Sequence, residues 1–495
     1  MDLTHQINSM NILFLNPPFL DQFSRTSRSP AVCKGGTLYY PLWLAYATAV
    51  AEQAGHNVRL IDAPALGLDI EGVFNSLDGF VPEIAVIDTS TPSIFSDVHI
   101  AGTIKDQYPA SFIVMVGTHP SALPEQTVNL STKVDAVAIG EYDYTIRDLA
   151  GVIMNKNDIG EVDGLVFRKD GVIVRNKERE KIKDLDNIPF VSSVYKKHLN
   201  CRKYFFAAAN YPMMMIITGR GCPFKCFFCV YPQVFHARSY RTRSPENVVD
   251  EFEYIVRNFP DVKEIGIEDD CFSADRKRVK KICELIIGRG IKIKWYCNVR
   301  GDLDYDLLKL MKSAGCRLVT VGFESGCQQI LDKMCKGERV EVYYKFADSA
   351  RKAGVLVHGC IMVGNPGDTK TTLMKSYEFS KKINCDSMQF YPLYVYPGTE
   401  AYSWAKEHGY LKTEDFSQWL TNDGLHNCVI NTASLKSEEM VSLCDDYLKK
   451  YHLRFAYMFM KLKQAIKDPS EGYRSLKSAR VFFSKYFMGQ LGRGQ

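Results

Sequence analysis

Residues 219–232 read GRGCPFKCFFCVYP, with Cys222, Cys226 and Cys229 at CxxxCxxC spacing directly after the apolar run Met213 to Ile217. The chain has 15 cysteines, an odd number spread from Cys33 to Cys444, which suits a reducing compartment rather than a disulfide framework. Most read as small core hydrophobes. The close-spaced three differ, because a short loop with thiols at these intervals can wrap one face of an iron–sulfur cube. Three ligands for four irons leave one iron open, which marks a catalytic site rather than a structural one. The alternatives are unrelated core thiols, or zinc with a fourth ligand, for which His236 is the only near candidate. Cys271, Cys297, Cys316, Cys327, Cys335 and Cys360 form no second close-spaced set and read as core or incidental residues.

Outward from this loop, residues 205–400 alternate strand and helix signals. Strands are expected at Met213–Ile217, Glu264–Ile267, Ile291–Tyr296, Leu318–Phe323, Val355–Val363 and Ser387–Leu393. The clearest helix runs from Pro245 to Phe259, with Ser244 as its cap and an apolar stripe of Val248, Val249, Phe252, Ile255, Val256 and Phe259. Six strand–helix units predict an open, partial (β/α)6 barrel of the TIM type with its site at the strand C-termini.

Residues 1–150 also alternate. Apolar runs at 11–15, 58–61, 84–87, 112–116 and 136–139 end in polar or Gly-rich tips, and Pro41 to Ala54 reads as a helix stopped by Gly55. This predicts a Rossmann-like, doubly wound parallel sheet with ligands at the strand C-termini, making the chain α/β throughout its first two large regions. Residues 151–204 read as a hairpin around Asp170-Gly171 and a charged linker. Residues 401–495 read as a mostly helical, basic region.

Composition narrows the field. At roughly 150 residues per domain, 495 residues suggest about three domains. A net charge of +5 over this length gives no indication of nucleic acid. No apolar run approaches the ~20 residues that span a membrane, and the N-terminus shows no secretory signal, so a cytoplasmic protein is expected. Charge is uneven: residues 445–495 hold eleven Lys or Arg against four acids, or +7, which leaves about −2 for the rest. Phe455, Met458, Phe459 and Leu462, then Val481, Phe482, Phe483, Tyr486 and Phe487, are interleaved with these charges. The tail can therefore lie on an anionic membrane surface, or pack its apolar residues on the barrel with its charges in water.

The cysteine motif and barrel segments resemble those of the radical S-adenosylmethionine (SAM) enzymes. The resemblance covers Glu268-Asp269-Asp270, Arg300 in WYCNVRGD, Gly322-Phe-Glu324-Ser325-Gly326, Gly364-Asn-Pro-Gly-Asp368 and Tyr396-Pro-Gly-Thr399. It implies a 4Fe-4S cluster on Cys222, Cys226 and Cys229, with SAM on the open iron. Phe228 then packs near adenine. Asp269, Asp270 and Glu324 offer acceptors to ribose hydroxyls or the SAM ammonium, and Arg300 a fork for its carboxylate. Ser325 and Gly364 complete the SAM contacts.

The leading domain resembles the cobalamin-binding domain of the cobalamin-dependent members. It implies cobalamin contacts at Asp62, Gly67, Ser90, Thr91, Gly117, Thr118, Gly140 and Glu141. Many cobalamin proteins carry DxHxxG after the second strand. Here the segment reads Asp62-Ala-Pro64-Ala-Leu-Gly67, so proline stands where a histidine would ligate cobalt from below. His119 is the nearest imidazole and reads more readily as a hydrogen-bonding loop residue. The stretch FSRTSRSPAVCKGGTLYYPLWLAY, residues 23–46, resembles the subgroup of the anaerobic magnesium-protoporphyrin cyclase, the phosphinate methylases and the hopanoid-tailoring enzymes. Its Arg25, Arg28, Lys34, Gly35 and Gly36 can contact an anionic group, or form a solvated loop.

The resemblance implies reductive SAM cleavage to methionine and a 5′-deoxyadenosyl radical. The radical takes hydrogen from an unactivated carbon, followed by methylation from methylcobalamin, ring closure or rearrangement. Implied partners are a small-molecule or lipid-like substrate and a low-potential electron donor such as flavodoxin or ferredoxin. A radical SAM tRNA methylthiotransferase would need a further cysteine set upstream, where only Cys33 and Cys201 stand. A non-catalytic cobalamin or redox sensor would need no full set of SAM contacts.

Overall fold

The computed structural model describes residues 9–33, 35–469 and 471–476. Lys34 and the tail aromatics from Val481 to Phe487 lie outside the described residues.

Seven strands make the first sheet: β1 (Asn11–Asn16), β2 (Asn57–Asp62), β3 (Ile84–Thr89), β4 (Phe112–Gly117), β5 (Ala136–Ala138), β6 (Leu165–Lys169) and β7 (Val172–Arg175), in the order β2-β1-β3-β4-β5-β6-β7. The first five are parallel, and their near-continuous apolar runs are buried as a sheet covered on both faces requires. The hairpin at Asp170-Gly171 is not part of a separate linker. β6 pairs antiparallel with β5, so the sheet extends past residue 150 to Arg175.

The barrel strands are β8 (Met213–Ile216), β11 (Glu264–Ile267), β12 (Lys294–Val299), β13 (Cys316–Glu324), β14 (Leu356–Val363) and β15 (Ser387–Pro392), all parallel, in the order β15-β14-β13-β12-β11-β8. Between β8 and β11, a short ribbon pairs β9 (Gly219–Arg220) with β10 (Arg241–Thr242) and flanks the cysteine loop. β12 starts three residues later than its apolar run suggests. The preceding helix first closes through Gly290, at φ +65°, and an Ile291 N–H bond to the Ile286 carbonyl. The helix Pro245–Asn258 is capped as expected, Ser244 Oγ accepting from Asn247 N at 3.2 Å, although Val256 faces outward.

The helix Leu42–Gln53 joins the two sheets. Its sequence LWLAYATAVAEQ is apolar nearly all round, and nine consecutive or near-consecutive residues from Leu42 to Ala51 are buried. Tyr46 Oη both donates to the Ile217 carbonyl at 3.1 Å and accepts from Ile217 N at 2.9 Å. Tyr40, just before the helix, donates to Met213 O at 2.9 Å. One continuous apolar core therefore runs through both sheets.

The strand N-terminal end of the barrel is closed. Arg317 pairs there with Glu264 at 2.8 Å and Glu471 at 2.7 Å, and donates to the Ala208 carbonyl. Among the described residues no helix is long and apolar enough to cross a membrane.

Candidate active site

The cysteine loop lies at the open end of the barrel, held by the strand tips around it. Asp269, just past β11, accepts from Thr218 N at 2.6 Å and Thr218 Oγ1 at 2.7 Å, and from Tyr240 Oη at 3.3 Å. This carboxylate is committed to fixing the start of the loop. Its neighbour Asp270 has Oδ2 buried with no hydrogen-bond partner among the described residues.

Cys222, Cys226 and Cys229 do not converge on a point as ligands of one ion would. They do lie within electrostatic reach of one another, an arrangement that suits separate irons of one cluster. Burial raises the Cys222 thiol to about 12, with Cys271, Asp270 and Cys226 adding to it. Burial, then Asp270, Cys226 and Cys222, holds Cys229 well above the usual thiol range. Arg28 offsets this in part at Cys229, and Lys336 and Arg300 do so at Cys226. His236 Nδ1 meets Glu141 Oε1 at 2.9 Å and its ring stacks on Tyr231, which leaves Nε2 buried with no partner among the described residues; no three His, Cys, Asp or Glu side chains among those residues are placed to hold one metal ion. Cys271 and Cys297 are buried core residues, whereas Cys335 is exposed and Cys360 partly so.

A charged group faces the loop from the other strands. Arg300 stacks over the Phe224 ring at 3.7 Å and donates Nη2 to the Lys336 and Gly337 carbonyls at 3.1 Å each. Its Nε is buried with no partner among the described residues. Glu324, at φ +62°, sits where the β13–β14 register shifts. A Cβ on Gly322 would collide with Glu324 Oε1, so glycine there makes room for this carboxylate. Glu324 accepts from Tyr391 Oη at 3.1 Å and lies 3.4 Å from Lys336 Nζ. Burial raises its pKa against the pull of Lys336.

Ser325 bonds Ser376 Oγ at 3.1 Å and caps Cys327 N. Gly364, at φ +97°, is packed against Met440. Phe228 is half-buried and meets Phe227 edge-on. Sequence reading missed Lys336 and Glu338, buried on the loop after Cys335; the run Lys336-Gly-Glu338 was the available signal.

Inside the barrel the strands present polar side chains. Asn298, Thr320, His358, Cys360, Gln389 and Tyr391 alternate along the strands with buried neighbours, Gln389 being exposed on the edge strand β15. His358 Nδ1 lies 2.7 Å from Ser387 Oγ, and burial lowers its pKa to about 4, leaving a neutral imidazole.

The tips of the first sheet face the same end. Asp62 is fully engaged by Asn16 Nδ2 at 2.8 Å, Tyr204 Oη at 3.0 Å and Ala65 N at 3.3 Å, and burial raises it to about 6. It caps the short turn Ala63–Leu66 that ends at Gly67, with Pro64 buried. Ser90 bonds Ser93 Oγ at 2.8 Å. Thr91 Oγ1 lies 3.3 Å from His119 Nδ1, and His119 packs edge-on against Phe416. Burial alone lowers His119 to about 3. Gly117, at φ +115°, precedes Thr118, and its missing Cβ avoids the Thr89 carbonyl. Gly140 N donates to Ser121 Oγ at 2.8 Å.

Glu141, expected at cobalamin, has both oxygens taken by Arg241 and His236, with Arg220 at 3.5 Å. Burial pushes its pKa up, but these partners outweigh it and hold the carboxylate well below its usual range. It joins the first sheet to the β9–β10 ribbon.

Of the two arginines on the intervening loop, Arg25 is buried against Asp97, with Asn16 Oδ1 at 2.6 Å. Arg28 crosses to the barrel, reaching Glu268 Oε2 at 3.2 Å, the Asp269 carbonyl at 2.8 Å and Asp270 at 3.8 Å.

Residues 216–380 match the model of the Radical SAM superfamily, and residues 29–150 match that of the B12 binding domain. Together they take in more than half of the chain, which belongs to the cobalamin-dependent radical SAM enzymes. Its cofactors are a 4Fe-4S cluster, SAM and cobalamin. An uncharacterized methyltransferase of Pyrococcus horikoshii is 28% identical over 481 residues, covering 97% of this chain and 99% of the relative. The anaerobic magnesium-protoporphyrin IX monomethyl ester cyclase of Rubrivivax gelatinosus is 27% identical over 354 residues, and the match spans 70% of this chain but 62% of the cyclase. The radical SAM methyltransferase TsrM of Kitasatospora setae shares the fold, with a TM-score of 0.71 at 15% identity over 96% of this chain and all of that one.

Proposed function

We propose that the chain methylates an unactivated carbon of a small or lipid-like molecule. One observation carries the joining of two cofactor sites into one reaction centre: Arg28, borne by the loop of the cobalamin-binding domain, ends among Glu268, Asp269 and Asp270 beside the cysteine loop. Preference for methyl transfer over ring closure rests on likeness, since the match to the methyltransferase runs nearly end to end and that to the cyclase is partial.

When bound, the cluster supplies one electron for SAM cleavage and cobalamin carries the methyl group. Cys222, Cys226 and Cys229 would hold the cluster. The free Nε of Arg300 and Oδ2 of Asp270 suit a zwitterionic ligand, an acceptor for the one and a donor for the other. Glu324, Phe228, Ser325 and Gly364 flank them in this reading. Asp269 acts instead through Thr218, as a positioning residue for the loop. On the first sheet Gly67, Ser90, Thr91, Gly117, Thr118 and Gly140 would line the cobalamin. Pro64 offers no ligand to cobalt, and Asp62 and Glu141 support the surrounding loops.

The polar barrel interior, with neutral His358, would orient the substrate while the sealed base excludes water. An external low-potential donor such as flavodoxin or ferredoxin would supply the electron. Fifteen cysteines, an odd number, favour a reducing cytoplasm.

The test is anaerobic reconstitution with cobalamin and SAM carrying a deuterated methyl group, incubated with host extract from a strain lacking the gene. A product heavier by one labelled methyl supports the reading. Label-free ring closure, or no 5′-deoxyadenosine, contradicts it.

A further inference from the structure

The helix Phe455–Lys467 is mounted inside out. Its polar residues face the protein: Tyr457 Oη donates to the Asp386 carbonyl at 3.0 Å, and Gln464 Nε2 bonds the Asp386 carboxylate. Lys461 lies 3.9 Å from the same carboxylate, and burial lowers its pKa to about 8 against the pull of Asp386. Next to them, Asn384 Nδ2 meets Met460 Sδ at 3.5 Å.

The apolar residues face outward. Phe455 is 88% exposed, Phe459 59%, Leu462 57% and Ile466 75%, at the spacing of one helix face. Leu453 and Met458 widen that face, and Tyr473 and Leu476 extend the exposed apolar surface beyond the helix. A soluble helix normally turns the opposite stripe to water, and an exposed apolar patch of this extent marks an interaction surface.

Charge indicates the partner. Lys463 and Lys467 lie exposed within the stripe, Lys463 Nζ standing 4.4 Å over the Phe459 ring. The acids nearby are occupied: Glu471 is buried with Arg317 and Arg474, and Asp468 faces Lys294 at 3.5 Å. The sequence that follows, residues 477–495, adds Lys477, Arg480, Lys485 and Arg493 with no Asp or Glu. Aromatic and aliphatic side chains set among an excess of cations are the composition that binds the headgroup boundary of an anionic bilayer.

We propose that the outward face of helix Phe455–Lys467 docks the enzyme on an anionic lipid surface. This holds whether or not the substrate is itself a lipid. The face lies on the flank of β15, where its partner Asp386 precedes that strand, so docking leaves the open end of the barrel uncovered.

The experiment is anaerobic co-sedimentation of the reconstituted full-length enzyme with vesicles of phosphatidylcholine alone, or mixed equally with phosphatidylglycerol, at low and high salt. Two variants alter exposed positions only, F455S/F459S/L462S and K463E/K467E, with thermal unfolding as the control for folding. The proposal expects sedimentation with the anionic vesicles, weakened by salt, and a loss of roughly tenfold or more in partitioning for each variant. Enzyme that stays in the supernatant, binds both vesicle types equally, or binds unchanged in the variants overturns it. So does light scattering that shows a dimer dissociated by F455S/F459S/L462S, which would assign the face to a second copy of the chain.

Discussion

At the scale of single residues, Gly322 shows how tightly the site is built. A methyl group there would collide with Glu324 Oε1, and Glu324 is already held at positive φ between Lys336 and Tyr391. G322A should therefore displace this carboxylate and weaken SAM binding by on the order of tenfold, about 1.4 kcal/mol, with little change in iron content. Equilibrium dialysis with labelled SAM checks this. Replacing Cys222, Cys226 or Cys229 by Ala should abolish iron incorporation and 5′-deoxyadenosine production, while C297A keeps both, as iron assay and chromatography would show.

Asp88 offers a pH test. Burial raises it from 3.8 to about 7, opposed by Arg25 and reinforced by Asp97. The native state then holds a proton that the unfolded chain releases, so this group makes stability fall as pH rises between about 4 and 7. D88N should remove that slope. Thermal unfolding should show the variant stabilised relative to wild type at pH 8, on the order of 1 kcal/mol, and not at pH 4; an equal gain at both would contradict the assignment.

Elements were legible where local pattern decides them. The cysteine loop, the Ser244-capped helix and six barrel strands follow from spacing and apolar runs, because each is short-range. The roles of Glu141 and Asp269 were not legible. A carboxylate at a strand tip reads as ligand-facing, yet Glu141 meets His236 and Arg241, 95 and 100 residues away, and Asp269 meets Thr218, 51 residues away. Lys336, only 12 residues from Glu324, was missed for a different reason: the loop after Cys335 that brings it back carries no apolar period. The tail helix read as amphipathic, but nothing in a helical stripe says which face a neighbour takes; Asp386, outside the helix, decides it. E141Q tests the clamp. Leaving Arg241 and Arg220 buried with half their counter-charge should cost about 3–5 kcal/mol, seen as a lower unfolding temperature and faster proteolysis between residues 175 and 190.

For the whole molecule, one core runs through two sheets, and the proposed reaction centre is a junction between them rather than a pocket in either domain. The all-apolar helix Leu42–Gln53 sets the sheets against each other, and Arg28 spans the gap. The most direct measurement is the cofactor content of the anaerobically reconstituted chain, wild type beside C226A. The account predicts about four irons and one corrinoid per wild-type chain, and a C226A protein that loses iron but keeps corrinoid with no protein imidazole splitting in its cob(II)alamin paramagnetic resonance spectrum. A wild-type chain that binds iron but no corrinoid, or a C226A chain that retains full iron, would contradict it.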